Sequence, residues 1–135
     1  MCDENNTNCC LADLLKKIVK LQKVDNNCCN EQGCEKPFLG PTLSTICYNT
    51  RPVSFYNCTT GELWAINYTT DEGTTATSTV FRVENVDDCC CTCRILIETG
   101  TAHDITYTPT NEFFTIDLGC VSAVQCHNDT YIDIC

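Results

Sequence analysis

Histidine is scarce in this chain, with only His103 and His127 present. A cupin-type metal site needs a cluster of histidine ligands, which two isolated ones cannot supply. Basic residues are also few: eight Lys and Arg against eighteen Asp and Glu leave a net charge of −10. That balance excludes nucleic acid and anionic membrane surfaces as partners. No apolar run approaches the roughly 18 residues of a membrane span. The opening Met1-Cys2-Asp3-Glu4-Asn5-Asn6 lacks a basic region followed by an apolar run, so synthesis without a secretory signal peptide is expected. No internal repeat or long linker divides the 135 residues, a length that buries a core unaided.

Sulfur is what the chain has instead. Fifteen of its residues are cysteines, a density that marks a disulfide-rich or metal-rich protein. Small secreted domains need such sulfur because their cores are small. This chain is larger, so intramolecular stability alone explains the number poorly. Fifteen is also odd, and complete oxidation leaves at least one cysteine for another chain. A cytosolic start combined with this composition leaves two options. Either the sulfurs hold metal, or oxidation comes late, when the producing cell opens.

Residues 1–10 are polar, Asn-rich and carry Cys2, Cys9 and Cys10, which reads as a flexible arm. Residues 11–27 read as one amphipathic helix, with Leu11, Leu14, Leu15, Ile18 and Leu21 at helical spacing. Thr7 or Asn8 is its expected cap and Asp25-Asn26-Asn27 its expected stop. Lys16, Lys17, Lys20 and Lys23 are half of the basic residues and all fall on this segment.

Residues 28–135 read as a single β domain. After an irregular stretch to Gly40, Thr-rich segments alternate with period two between turn residues. Strands are expected at Thr42–Tyr48, Pro52–Cys58, Leu63–Tyr68, Thr79–Val86, Cys90–Glu98, Ile105–Tyr107, Phe113–Val124 and Thr130–Ile134. Thr69–Ser78 is expected to be a loop and Pro109-Thr110-Asn111 a turn. The fold class that follows is mainly β: an antiparallel β-sandwich, with a jelly roll as its specific form, plus one N-terminal amphipathic helix.

Alternation sorts the densest cysteine cluster, Cys89-Cys90-Cys91-Thr92-Cys93. On a strand, Cys91, Cys93, Ile95 and Ile97 share the apolar face, and Cys90 takes the other. Cys89 follows Asp87-Asp88 and falls in a turn. Phe114, Ile116, Leu118 and Cys120 share a face, which makes Cys120 an interior partner for Cys91 or Cys93. Candidate intrachain or core disulfide residues are thus Cys34, Cys47, Cys91, Cys93, Cys120 and Cys126. Candidate interchain residues are Cys2, Cys9, Cys10, Cys89, Cys90 and Cys135, at termini, turn and surface.

The rival chemistries are weaker. A zinc site from Cys90, Cys93, Cys126 and His127 would use one Cys-x-x-Cys knuckle. It has no second knuckle, and a regular strand would put Cys90 and Cys93 on opposite faces. The same motif as a redox centre needs a helix after it, and none is expected. A Cys/His nucleophile pair has no recognisable oxyanion loop. No catalytic residue, cofactor or resident metal is therefore expected. Cross-linking remains: bonds between chains make dissociation depend on reduction.

Four stretches carry a resemblance: Cys34-Glu35-Lys36-Pro37-Phe38-Leu39-Gly40, Asn49-Thr50-Arg51-Pro52, Phe81-Arg82-Val83-Glu84-Asn85-Val86-Asp87-Asp88, and Ile116-Asp117-Leu118-Gly119-Cys120 through Ala123-Val124-Gln125-Cys126. Together they resemble the CotY/CotZ/ExsY family of spore coat and exosporium proteins of endospore-forming bacilli. The resemblance implies a non-enzymatic protein made in the mother cell, which assembles with itself and with other coat or exosporium proteins into a cross-linked layer. Ser122 stands where the family pattern has the second cysteine of a Cys-x-Cys. Cys9-Cys10, Cys28-Cys29 and Cys89-Cys90-Cys91 are adjacent sets richer than the family pattern. The pair on the N-terminal arm also resembles the stapling arms of spore appendage fibre subunits, so layer and fibre both stay open.

Overall fold

The computed structural model describes residues 10–24, 48–101 and 103–134. Helix α1 spans Cys10–Val24, and among the described residues seven strands follow: β1 Val53–Asn57, β2 Ile66–Thr69, β3 Thr75–Ser78, β4 Phe81–Asp87, β5 Cys90–Thr99, β6 Thr106–Asp117 and β7 Val121–Cys126. The helix holds no Gly or Pro and is rich in Leu and Lys, both good helix formers. Asp13 in its first turn and Lys23 in its last complement the helix dipole. The expected cap at Thr7 or Asn8, the stop at Asp25–Asn27, and most of the strand expected at Thr42–Tyr48 lie outside the described residues.

One face of α1 is buried, formed by Ala12, Leu15, Ile18, Val19 and Gln22. Leu14 and Leu21, expected on the buried stripe, are 40% and 55% exposed. Leucines wrap more of the helix than one contact can cover, so packing selects the side centred on Leu15 and Ile18. Gln22 holds its buried place by hydrogen bonding. Its Nε2 donates to the Val83 carbonyl at 2.8 Å, and its Oε1 accepts from the Arg51 N–H at 3.0 Å. Covering Leu15 and Ile18 fully contributes about 1.5–3 kcal/mol each. The four lysines on α1 stay exposed.

Two antiparallel sheets form: five strands in the order β6-β5-β4-β1-β7, and two in the order β2-β3. Phe55, Phe81, Val83, Cys91, Cys93, Ile95, Ile116 and Val121 of the larger sheet share one core with α1 and with Tyr68, Ile66 and Ala76 of the smaller sheet. The fold is thus mainly β and antiparallel with one N-terminal helix, as the patterning implies, and α1 and the β2–β3 ribbon together cover one sheet face. The described strands divide five and two rather than into the eight strands of two Greek keys. On the other face a smaller cluster gathers Val80, Leu96 and Ile132.

Departures from strict alternation explain the remaining differences. Between Val83 and Asn85 the β4–β5 register slips, leaving Glu84 as an extra residue. The bulge switches parity, so Val86 rejoins Phe81 and Val83 on the core side. Pro109-Thr110-Asn111 is not a turn: β6 runs through it, and its register against β5 shifts there. Proline is tolerated because β6 is an edge strand. Thr75–Ser78, expected inside a loop, is a strand paired with β2 through Thr69↔Thr75 and Ile66↔Ser78. Its threonines leave no apolar alternation to read. Thr130–Ile134 makes a single bridge, Thr50↔Thr130, instead of a strand.

Candidate functional site

The β4–β5 hairpin positions the cysteine cluster. Asp88 takes a left-handed φ of 53°, which Asp tolerates better than most residues. The turn at Asp88 and Cys89 returns the chain so that Asp87 pairs with Cys90. The Cys89 carbonyl accepts from Leu118 N–H at 2.7 Å, fastening the turn to the chain beyond β6. Cys89 lies in the turn, as its position after two aspartates implies, and it is disulfide-bonded.

Strand β5 then sorts its sulfurs. Cys90 is exposed, while Cys91 and Cys93 are fully buried. Cys91 faces Val86 and Ile116 on its neighbouring strands, and Cys93 faces Val83 and Phe114. Their sulfurs lie 3.4 Å apart as free thiols. The hydrogen bond to Cys91 and then burial push the Cys93 thiol well above its ordinary range. A thiol held protonated inside a core is a poor nucleophile and a poor metal ligand. Chemically these two sulfurs are core filling.

Elsewhere the cysteines come outward. Cys10 is exposed in the first turn of α1, one residue inside the helix rather than in the arm. Cys120 is exposed too, against the expectation that it faces the core. Leu118–Cys120 is a 3-10 turn, capped by the Asp117 side chain accepting from Gly119 N–H. The tighter winding breaks the alternation that placed Cys120 beside Leu118. Cys126 is exposed at the end of β7. Cys2, Cys9, Cys34, Cys47 and Cys135 lie outside the described residues.

The four residues of the zinc alternative do not converge. Cys90 and Cys93 take opposite faces of β5, and Cys126 sits on β7 with β4 and β1 between. Three strand spacings put roughly 14 Å between β5 and β7. His127 is engaged by Ser54, whose Oγ lies 2.8 Å from its Nε2. Among the described residues no group of three or more His, Cys, Asp or Glu is placed to hold a metal ion.

Among the described residues, one cysteine lies outside both candidate sets. Cys58, at the end of β1, is an exposed free thiol, and its N–H donates to the Cys120 carbonyl at 3.0 Å. The sequence offers only one cue, that Cys58 ends a strand pattern. Ser122, where the family pattern has a cysteine, is the extra residue where Tyr56↔Ala123 gives way to Asn57↔Val121. It is exposed, and its Oγ lies 3.4 Å from the Tyr56 carbonyl.

The sequence profile of the spore coat protein Z family matches residues 1–107. The chain belongs to this family. No curated protein and no solved structure matches it. The family match spans α1 and β1–β5 and enters β6, so it contains the hairpin that sorts the sulfurs. The motif from Ile116 to Cys126 lies beyond it. Membership supports a structural role in the spore coat and a place at the spore surface. No described helix is long and apolar enough to cross a membrane.

Proposed function

We propose that this coat-family chain is a self-assembling, non-enzymatic subunit of the spore outer layers, in the coat crust or the exosporium lattice. It is made in the mother-cell cytoplasm and is locked by interchain disulfides once the layer has formed. Its partners are further copies of itself and other coat or exosporium proteins.

The observation that carries this reading is the division of sulfur along β5, together with family membership. Cys91 and Cys93 fill the core, while Cys90 stands exposed on the opposite face. A chain needing thiols only for its own core would have no use for one outside. Cys2, Cys9, Cys10, Cys89, Cys90 and Cys135 are the proposed joints. Cys10 and Cys90 are exposed and free. Cys89 already has a disulfide, so it joins chains only by exchange.

Non-reducing electrophoresis of the oxidised protein tests the reading. A multimer ladder that collapses on reduction is expected, and a clean monomer band would sink it. Deleting residues 1–10 is expected to keep the fold and abolish the ladder. An unchanged ladder would move the joints elsewhere.

A further inference from the structure

Cys58 closes β1, and Cys120 closes the 3-10 turn that enters β7. The last register pair between these strands is Asn57↔Val121, so the next position outward sets Cys58 opposite Cys120. The backbone confirms the approach, since Cys58 N–H donates to the Cys120 carbonyl at 3.0 Å. Cys58 Sγ already lies over the adjoining segment, 4.0 Å from the Gly119 carbonyl oxygen. Both cysteines are exposed and free, so their side chains can rotate without disturbing the core.

Directly opposed residues of an antiparallel pair have Cα atoms about 4.5–5.5 Å apart. A disulfide accepts Cα separations of about 4.4–6.8 Å. The other exposed thiols of the described residues are less well placed. Cys126 faces Val53 at the far end of the same strand pair, and Cys90 faces Asp117 on β6.

We propose that Cys58 and Cys120 form a cross-strand disulfide within one chain on oxidation, a redox latch distinct from the joints between chains. The oxidant is a small-molecule disulfide. One cysteine, as thiolate, attacks a sulfur of that disulfide, forming a mixed disulfide and releasing one small thiolate. The second cysteine thiolate attacks the protein sulfur of the mixed disulfide and expels the other small thiolate. The two cysteines lose two electrons, the small disulfide gains them, and the two cysteine protons pass to the released thiolates. The latch ties β1 to the turn before β7 and withdraws two exposed thiols from random cross-linking. Among the described residues it leaves Cys10, Cys90 and Cys126 as the exposed free thiols.

The full chain is incubated with glutathione disulfide, the remaining thiols are alkylated, and the monomer band is digested for mass spectrometry. A Cys58–Cys120 linked peptide is expected, lost on reduction. Cys58→Ser is expected to keep a persistent glutathione adduct on Cys120, and Cys120→Ser one on Cys58, because each lacks the resolving thiol. Both variants change exposed positions, and circular dichroism checks their folds. Persistent adducts on both Cys58 and Cys120 of the unsubstituted chain, a Cys90–Cys120 link, or Cys58 bonded only to another chain would each overturn the latch. The multimer ladder is read separately, so failure of the latch and failure of the assembly reading are distinguishable.

Discussion

Arg82 and Arg94 stand directly opposite each other on β4 and β5 and share a single carboxylate, Glu84. Arg82 Nη1 donates to Glu84 Oε2 at 2.7 Å and Arg94 Nε donates to the same oxygen at 3.1 Å. Like charges directly opposed on a sheet repel, and the bulge residue Glu84 holds them together. Arg82 also donates to Thr50 Oγ1 and the Asn49 carbonyl, while Arg94 donates to the Thr110 carbonyl and covers the Phe113 ring. This network fastens β4 and β5 on the face away from α1.

Replacing Glu84 by Gln removes the charge and leaves two guanidinium groups facing each other. With Glu84 about a quarter exposed (23%), solvent screens part of the loss, and a destabilisation of about 2–3 kcal/mol is expected. Urea unfolding reads it as a lower midpoint at unchanged slope. A midpoint equal to the parent's would show that the sheet does not depend on this carboxylate.

The buried thiol pair makes an alkaline prediction. Cys93 keeps its proton in the fold more tightly than at the ordinary value of 9.0. Above that pH the unfolded chain ionises and the folded one does not. Stability from this group is therefore complete below pH 9.0 and is lost as pH rises toward the folded value. Cys93→Ala is expected to cost about 1–2 kcal/mol at neutral pH by leaving a cavity. It is also expected to flatten the alkaline decline. An unaltered alkaline limb after substitution would remove Cys93 as its cause.

Native-state alkylation separates the same sulfurs by exposure. Cys10, Cys58, Cys90, Cys120 and Cys126 are expected to react with a maleimide in the folded protein, and Cys91 and Cys93 only on unfolding. Mass spectrometry of the labelled peptides reads the order. Early labelling of Cys91 or Cys93 would contradict their burial.

Arg51 and Asp129 make an exposed, two-pronged ion pair, with Nε to Oδ1 at 2.6 Å and Nη2 to Oδ2 at 2.9 Å. The Arg51 hydrogen bond holds the Asp129 carboxyl below its ordinary value of 3.8. The stability it contributes is present above pH 3.8 and lost as pH falls through the lowered value. Each side chain is about a third exposed, so Asp129→Asn is expected to cost less than about 1 kcal/mol at pH 7. The difference is expected to close in acid. A gap that stayed constant with pH would mean that the charge is not what matters.

The patterning rendered faces well where strands are regular. Cys91, Cys93 and Ile95 point inward as two-residue alternation requires, and Cys89 falls in its turn. The signal failed where the backbone leaves that rhythm. Nothing in Leu118-Gly119-Cys120 announces a 3-10 turn, so Cys120 was placed with Leu118 and came out on the surface. The Glu84 bulge and the shift within β6 are likewise register events, decided by what lies across the sheet. Thr75–Ser78 forms a strand with almost no apolar residues because β2 supplies its hydrogen bonds. Cys58 needed a partner 62 positions away to acquire meaning.

The strand order also governs when the sulfurs are hidden. β7, the last strand, lies beside β1, the first, and β6 forms the opposite edge. The sheet therefore cannot close until nearly the whole chain has left the ribosome, and pairing this distant in sequence is slow to form. Cys91 and Cys93 remain open to oxidants throughout that interval, because Ile116 and Phe114 arrive only with β6. Their protection in the finished protein is thus a matter of timing as well as place: an oxidant that met the chain before the core shut would consume them.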